Sequence, residues 1–157
     1  MTESTTRRAE DARLLRESLN LLAPVAHQLV AAFYDQLFAT NPAVRPMFPD
    51  SMDLQRERLL NALVALATHY DEPDQLVPAL TAMGRNHVRY RAELPHYAAV
   101  GEALMVVLRR YAGESWNDEY ESAWRRAYTF AAGTMLAASA LAPSPTGAPA
   151  DERTLAA

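Results

Sequence analysis

Residues 76–104 read LVPALTAMGRNHVRYRAELPHYAAVGEAL, and this stretch decides the fold. Leu76, Leu80, Met83 and His87 stand four, three and four residues apart, the spacing of one face of an α-helix. After a polar break, Pro95 opens a second stripe through Tyr97, Val100, Leu104, Val107 and Leu108. Neither segment alternates as a half-buried strand does. His87 lies on an otherwise apolar face, so each of its ring nitrogens needs a partner. One nitrogen suits a metal and the other a carbonyl or side chain. Pattern alone favours the plainer arrangement, a core histidine held by two ordinary hydrogen bonds.

The helical period continues in both directions. Upstream, a helix over about 53–70 carries Gln55, Leu59, Ala62 and Leu66 on one face, with N-cap candidates from Asp50 to Asp53. A short turn through Pro46, Met47, Phe48 and Pro49 precedes it. Before that, Val30, Phe33, Tyr34 and Leu37 mark a helix that Asn41-Pro42 ends. Pro24 makes a corner, and Leu14, Leu15, Leu19 and Leu22 predict a first helix from about Glu10 to Ala23. Downstream, Gly113 closes the Pro95 helix, and Ser115 with Asp118 resembles a capping box for a last helix over Trp116 to Ala140. Residues 1–9 are polar and expected to be disordered. Residues 141–157 hold three prolines, and they bury too little apolar surface to offset their ordering entropy. The prediction is one all-α domain over 10–140, six long helices plus a short corner helix, with no heptad seam.

Composition narrows the chemistry. The chain has 157 residues, half of them apolar, enough for a sizeable core. It has no cysteine, which excludes disulfides, thiolate metal sites and a Cys nucleophile. All basic residues are arginine, and the net charge of -4 argues against a nucleic-acid partner. No run of 18 apolar residues reads as a membrane span, and the polar start does not read as a signal peptide, so a cytoplasmic location is expected. Tyr34 and Gln55 each set a polar group in an apolar stripe. A Tyr and a Gln converging on an apolar pocket can donate to a small polar ligand; the commoner alternative is that both bond to backbone or water.

Several strings share their order and spacing with one family. Ala31-Ala32-Phe33-Tyr34-Asp35-Gln36-Leu37-Phe38, followed by Asn41-Pro42 and Phe48, resembles the second helix and first corner of flavohaemoglobin globin domains. Gln55-Arg56-Glu57 with Leu59 resembles their distal helix. Asn86-His87-Val88, then Leu94-Pro95-His96-Tyr97-Ala98-Ala99-Val100-Gly101-Glu102-Ala103-Leu104, is similar to their proximal segment, the spacing of ten from His87 to Tyr97 being its most specific element. Ala123-Trp124-Arg125-Arg126-Ala127-Tyr128 resembles their last helix. The likeness spans about residues 10–140 and implies a globin fold.

The resemblance implies haem b as cofactor, with His87 as the proximal iron ligand. It implies Phe48 packed flat on the porphyrin, Leu59 limiting access above the iron, and Leu80, Met83, Val100 and Leu104 in the apolar wall. Tyr34 and Gln55 are implied as distal donors and Tyr97 as part of the hydrogen-bond network behind His87; these three are the candidate catalytic residues. Arg45, Arg56, Arg89 and Arg91 lie near segments that hold the propionates, with surface solvation the plainer role for most of them. The implied small ligands are oxygen, nitric oxide and carbon monoxide.

The sequence departs from the family in two respects. It holds no counterpart of the flavin and nicotinamide reductase domains, so turnover is expected to need an external reductase. Ser139 falls where the family has a Glu behind the proximal histidine, and a missing carboxylate weakens the push of electron density toward iron. The expected function is therefore reversible oxygen binding for storage or delivery. The alternatives are nitric-oxide dioxygenation with a separate reductase, a haem-based gas sensor, or a fold of this kind without haem. Either a monomer or a homodimer is compatible with the sequence.

Overall fold

Apolar residues spaced three and four apart run almost the whole length of the chain, and the structure, a computed structural model, folds them into helices; it describes residues 2–88 and 92–140. Helix α1 spans Glu3–Leu22, α2 Ala26–Thr40, α3 Asp53–His69, α4 Pro73–Val88, α5 Leu94–Ala112 and α6 Asp118–Ala140. Short 3₁₀ turns at Ala23–Val25, Pro42–Met47 and Gly113–Ser115 join neighbours. The described residues contain no strand, and no helix among them is long and apolar enough to cross a membrane. The expected disordered segment 141–157 lies outside the described residues, as do Arg89 and Arg91.

Three local expectations change. Helix α1 begins at Glu3 rather than near Glu10, so residues 3–9 are helical and not frayed. Tertiary contact extends it: the Arg8 guanidinium lies 4.2 Å from the ring centroids of both Tyr70 and Phe130, and Arg8 Nε donates to the Tyr70 carbonyl. Helix α3 starts after Met52 with no side-chain cap; Asp53 instead occupies its first turn, where a carboxylate complements the helix dipole. At α6 the cap is Asn117, whose Oδ1 accepts from the Tyr120 N–H at 2.9 Å, while Ser115 is spent in the preceding turn.

The helices close over a core that α6 organises. Trp124 is fully buried, and its Nε1 donates to Ser18 Oγ of α1 at 2.9 Å. Arg126 holds the buried Asp11 of α1 through two bonds of 2.7 and 2.8 Å. Helix α4 lies so close to α6 that a Cβ on Gly84 would stand 2.3 Å from the Met135 carbonyl oxygen. Gly101 admits the Tyr128 ring between α5 and α6 in the same way, its Cβ position 2.8 Å from the ring. Gly113 has φ +57, the left-handed conformation that ends α5. These contacts seat α4 and α5 against α6, and they leave a space between those three helices, α2, α3 and the 42–48 corner.

Candidate functional site

That space is an apolar cavity lined by residues of α2, α3, α4, α5, α6 and the 42–48 corner. All the candidate site residues read from the sequence line it. Helix α2 contributes Tyr34, the corner Phe48, and α3 Gln55 and Leu59. Helix α4 contributes Leu80, Met83 and His87, and α5 contributes Tyr97, Val100 and Leu104. The stripes that face inward are those predicted from spacing.

The polar groups of the lining gather in two places. In the first, Gln55 Nε2 donates to the Tyr34 hydroxyl oxygen at 3.1 Å, with both residues only 3% exposed. The Tyr34 oxygen therefore acts as acceptor, and its own O–H remains to donate elsewhere. Aromatic edges fix the ring: Phe33 and Phe48 stand 4.8 and 5.7 Å away, centroid to centroid. Burial raises the Tyr34 pKa well above the ordinary tyrosine value, so the group is a neutral O–H donor at physiological pH.

The second place centres on His87. Its Nδ1 lies 2.7 Å from the Met83 carbonyl, one turn back on α4. A carbonyl can only accept, so Nδ1 carries the proton and the lone pair sits on Nε2. Burial lowers the His87 pKa, partly opposed by the Met83 bond, and holds the ring neutral at pH 7. A neutral imidazole oriented through Nδ1 is the form that ligates metals. Among the described residues no group of three or more His, Cys, Asp or Glu can hold a bare ion. A metal at His87 would have to arrive with most of its other ligands.

Tyr97 stands beside that imidazole, ring centroids 6.1 Å apart, but forms no hydrogen bond to it. Its hydroxyl is buried and has no partner among the described residues, and burial pushes its pKa up to about 12. Tyr128 fixes the backbone here by donating to the Tyr97 carbonyl. Ser139 is turned onto its own helix, its hydroxyl donating to the Leu136 carbonyl at 2.8 Å.

Some lining residues were not singled out in the sequence. Tyr128, Ala131 and Met135 of α6 line the cavity at spacings of three and four, a signal present in the pattern. His96 also lines it, with Nδ1 accepting the Glu93 N–H at 2.9 Å. Of the arginines near the rim, Arg45 folds onto the corner, donating to the Phe48 and Pro49 carbonyls at 3.2 and 3.0 Å. His69 pairs with exposed Glu72 at 3.1 Å, away from the cavity lining.

The sequence profile of the globin family matches residues 31–135. An uncharacterised globin-like protein of Aquifex aeolicus is 29% identical over 127 residues, covering 81% of this chain and 90% of that one. A flavohaemoprotein of Chromobacterium violaceum is 31% identical over 128 residues, covering 77% of this chain but 32% of its own length. The chain thus spans about a third of the flavohaemoproteins it matches. In structure, a bacterial globin of Campylobacter jejuni superposes with a TM-score of 0.74 at 20% identity, covering 84% and 96% of the two chains. An engineered carbene transferase and candidate nitric oxide dioxygenase from Rhodothermus marinus gives 0.75 at 27% identity, covering 89% and 94%.

Proposed function

We propose that this chain, which belongs to the globin family, binds haem b through His87 and takes up molecular oxygen reversibly. The observation that carries the reading is an apolar cavity lined from five helices, with an oriented, neutral imidazole and a buried Tyr–Gln donor pair in one lining. The residues fit the group: one protein ligand suffices for an iron that brings its own macrocycle, and apolar walls suit a flat porphyrin. Phe48, Leu59, Leu80, Met83, Val100 and Leu104 would hold it. When bound, haem supplies an iron centre that takes oxygen, carbon monoxide or nitric oxide. The apolar lining excludes water, Met83 holds the imidazole in one tautomer, and the Tyr34 O–H would donate to a polar diatomic ligand held in the cavity.

A second reading is nitric-oxide dioxygenation with a separate reductase. The likeness to flavohaemoproteins and to the Rhodothermus protein favours it. The site weighs against it, because the Tyr97 hydroxyl meets no carboxylate and Ser139 faces its own helix. The test is the optical spectrum of the reduced protein with and without carbon monoxide, followed by mixing the oxygenated form with nitric oxide. The oxygen-binding reading predicts a Soret band that carbon monoxide shifts, and slow re-reduction by cell extract after one stoichiometric oxidation. Rapid repeated turnover would establish the dioxygenase instead. No Soret band after haem reconstitution would overturn both.

A further inference from the structure

His96 lines the cavity, yet none of the roles described so far uses it. It is the third residue of α5 and is half-buried, where the cavity wall meets solvent. Its Nδ1 accepts the Glu93 N–H at 2.9 Å, the backward bond that a Glu or Gln makes at this position of a capping box. That bond fixes the tautomer: with the lone pair on Nδ1, the neutral ring carries its proton on Nε2. No described residue accepts from that Nε2–H.

The other polar groups of the lining are committed or set deeper. Gln55 donates to Tyr34 where both are 3% exposed, Met83 holds His87, and Tyr128 donates to the Tyr97 carbonyl. The Tyr97 hydroxyl is buried beside the His87 ring. The backbone next to His96 adds no donor: Pro95 has no N–H, and those of His96 and Tyr97 bond to the Glu93 carbonyl at 2.9 and 3.2 Å. No arginine is among the described residues that line the cavity. Haem is apolar over most of its surface but carries two carboxylates, and a carboxylate stays where water or donors meet it.

We propose that His96 is a cofactor-binding residue whose Nε2–H donates to one haem carboxylate at the mouth of the cavity. A half-buried donor suits that group, because one carboxylate oxygen takes the N–H while the other stays hydrated. The donor is set by the Glu93 bond, so the ring needs no positive charge to make it. A flat macrocycle between apolar walls can turn about its iron, and a bond at its edge stops that rotation. One side chain thereby caps α5 and orients the cofactor. This inference rests on the reading of the cavity as a haem site.

The test compares the loss of haem and of haem dimethyl ester, whose carboxylates are blocked, to excess apomyoglobin. It is run on the loaded wild type, His96→Leu and His96→Glu, and followed at the Soret band. Glu at this position keeps the capping bond but replaces the donor with a like charge. Leu removes both the donor and the cap. His96→Leu should speed haem loss by about tenfold more than it speeds loss of the ester. His96→Glu should speed haem loss further and leave the ester at the wild-type rate. Haem and ester accelerated by the same factor in both variants would make His96 a cap alone and overturn the proposal. An effect of His96→Glu on haem with none of His96→Leu would also overturn it, since repulsion would then act where no bond had been. A wild-type chain that takes up neither haem nor its ester would overturn the haem reading itself.

Discussion

Two residues define the site, and both were visible in the sequence because their polarity interrupts a stripe. His87 completes the face of Leu76, Leu80 and Met83, and Tyr34 sits between Phe33 and Leu37. Their bonding was not visible. Nothing in the spacing says that Met83 accepts from Nδ1, or that Gln55 donates to Tyr34 rather than to water. The direction of that second bond has a consequence. Because the Tyr34 oxygen is already an acceptor, its proton is free for a ligand, and Tyr34→Phe removes that donor without emptying the ring's packing site. Oxygen dissociation should quicken by roughly ten- to a hundredfold, the worth of a hydrogen bond to a charged group at about 1.5–3 kcal/mol. Stopped-flow displacement of oxygen by carbon monoxide measures it, and an unchanged rate would show that Tyr34 does not face the ligand.

Helix identity followed from period, whereas helix ends followed from contacts that a sequence does not display. Asn117 rather than Ser115 caps α6, and Arg8 carries α1 seven residues beyond the expected start at Glu10 by lying over rings from α6 and the end of α3. The approach of α4 to α6 was equally hidden, since a lone glycine in a helix reads as a weak position and not as a contact. Gly84→Ala drives a methyl group into the Met135 carbonyl, where α6 backbone must give way. It should cost roughly 1–3 kcal/mol in urea unfolding, although alanine is the better helix former. Gly133, with nothing within 4 Å of its Cβ position, is the control on α6, and Gly133→Ala should leave stability unchanged or raise it. Where α5 meets α6, Arg109 bonds Glu121 at 2.6 and 2.9 Å, and Trp116 and Arg125 add to it. These partners, Arg109 first, lower the Glu121 pKa to about 2. A carboxyl depressed in the folded state stabilises above its unfolded pKa and loses that contribution as pH falls toward the folded one. The junction should therefore weaken between about pH 4.5 and 2, and Glu121→Gln should flatten that part of the stability–pH curve. An unaltered slope in the variant would show that the pair contributes nothing.

At the scale of the molecule, prolines at the corners and apolar faces of period 3.6 were enough to specify an all-helical chain. Its crossing helices bring distant stripes onto one cavity: α2, α3, α4 and α5 each present the face that spacing marked. The residue types that close the cavity from α6 were harder to single out. Ala131 and Ala132 are ordinary helix formers, and only the packing reveals that their small size makes room. The oriented imidazole of His87 comes from α4 and the Tyr34–Gln55 donor pair from α2 and α3, an arrangement that suits the proposed binding of a flat cofactor through a single protein ligand. Haem titration followed at the Soret maximum, for wild type and His87→Ala in parallel, measures whether that ligand is His87. A one-to-one endpoint in the wild type, with loss of the stable complex in His87→Ala and its return on adding free imidazole, is the expected result. An equally tight, spectrally identical complex in His87→Ala would contradict the assignment.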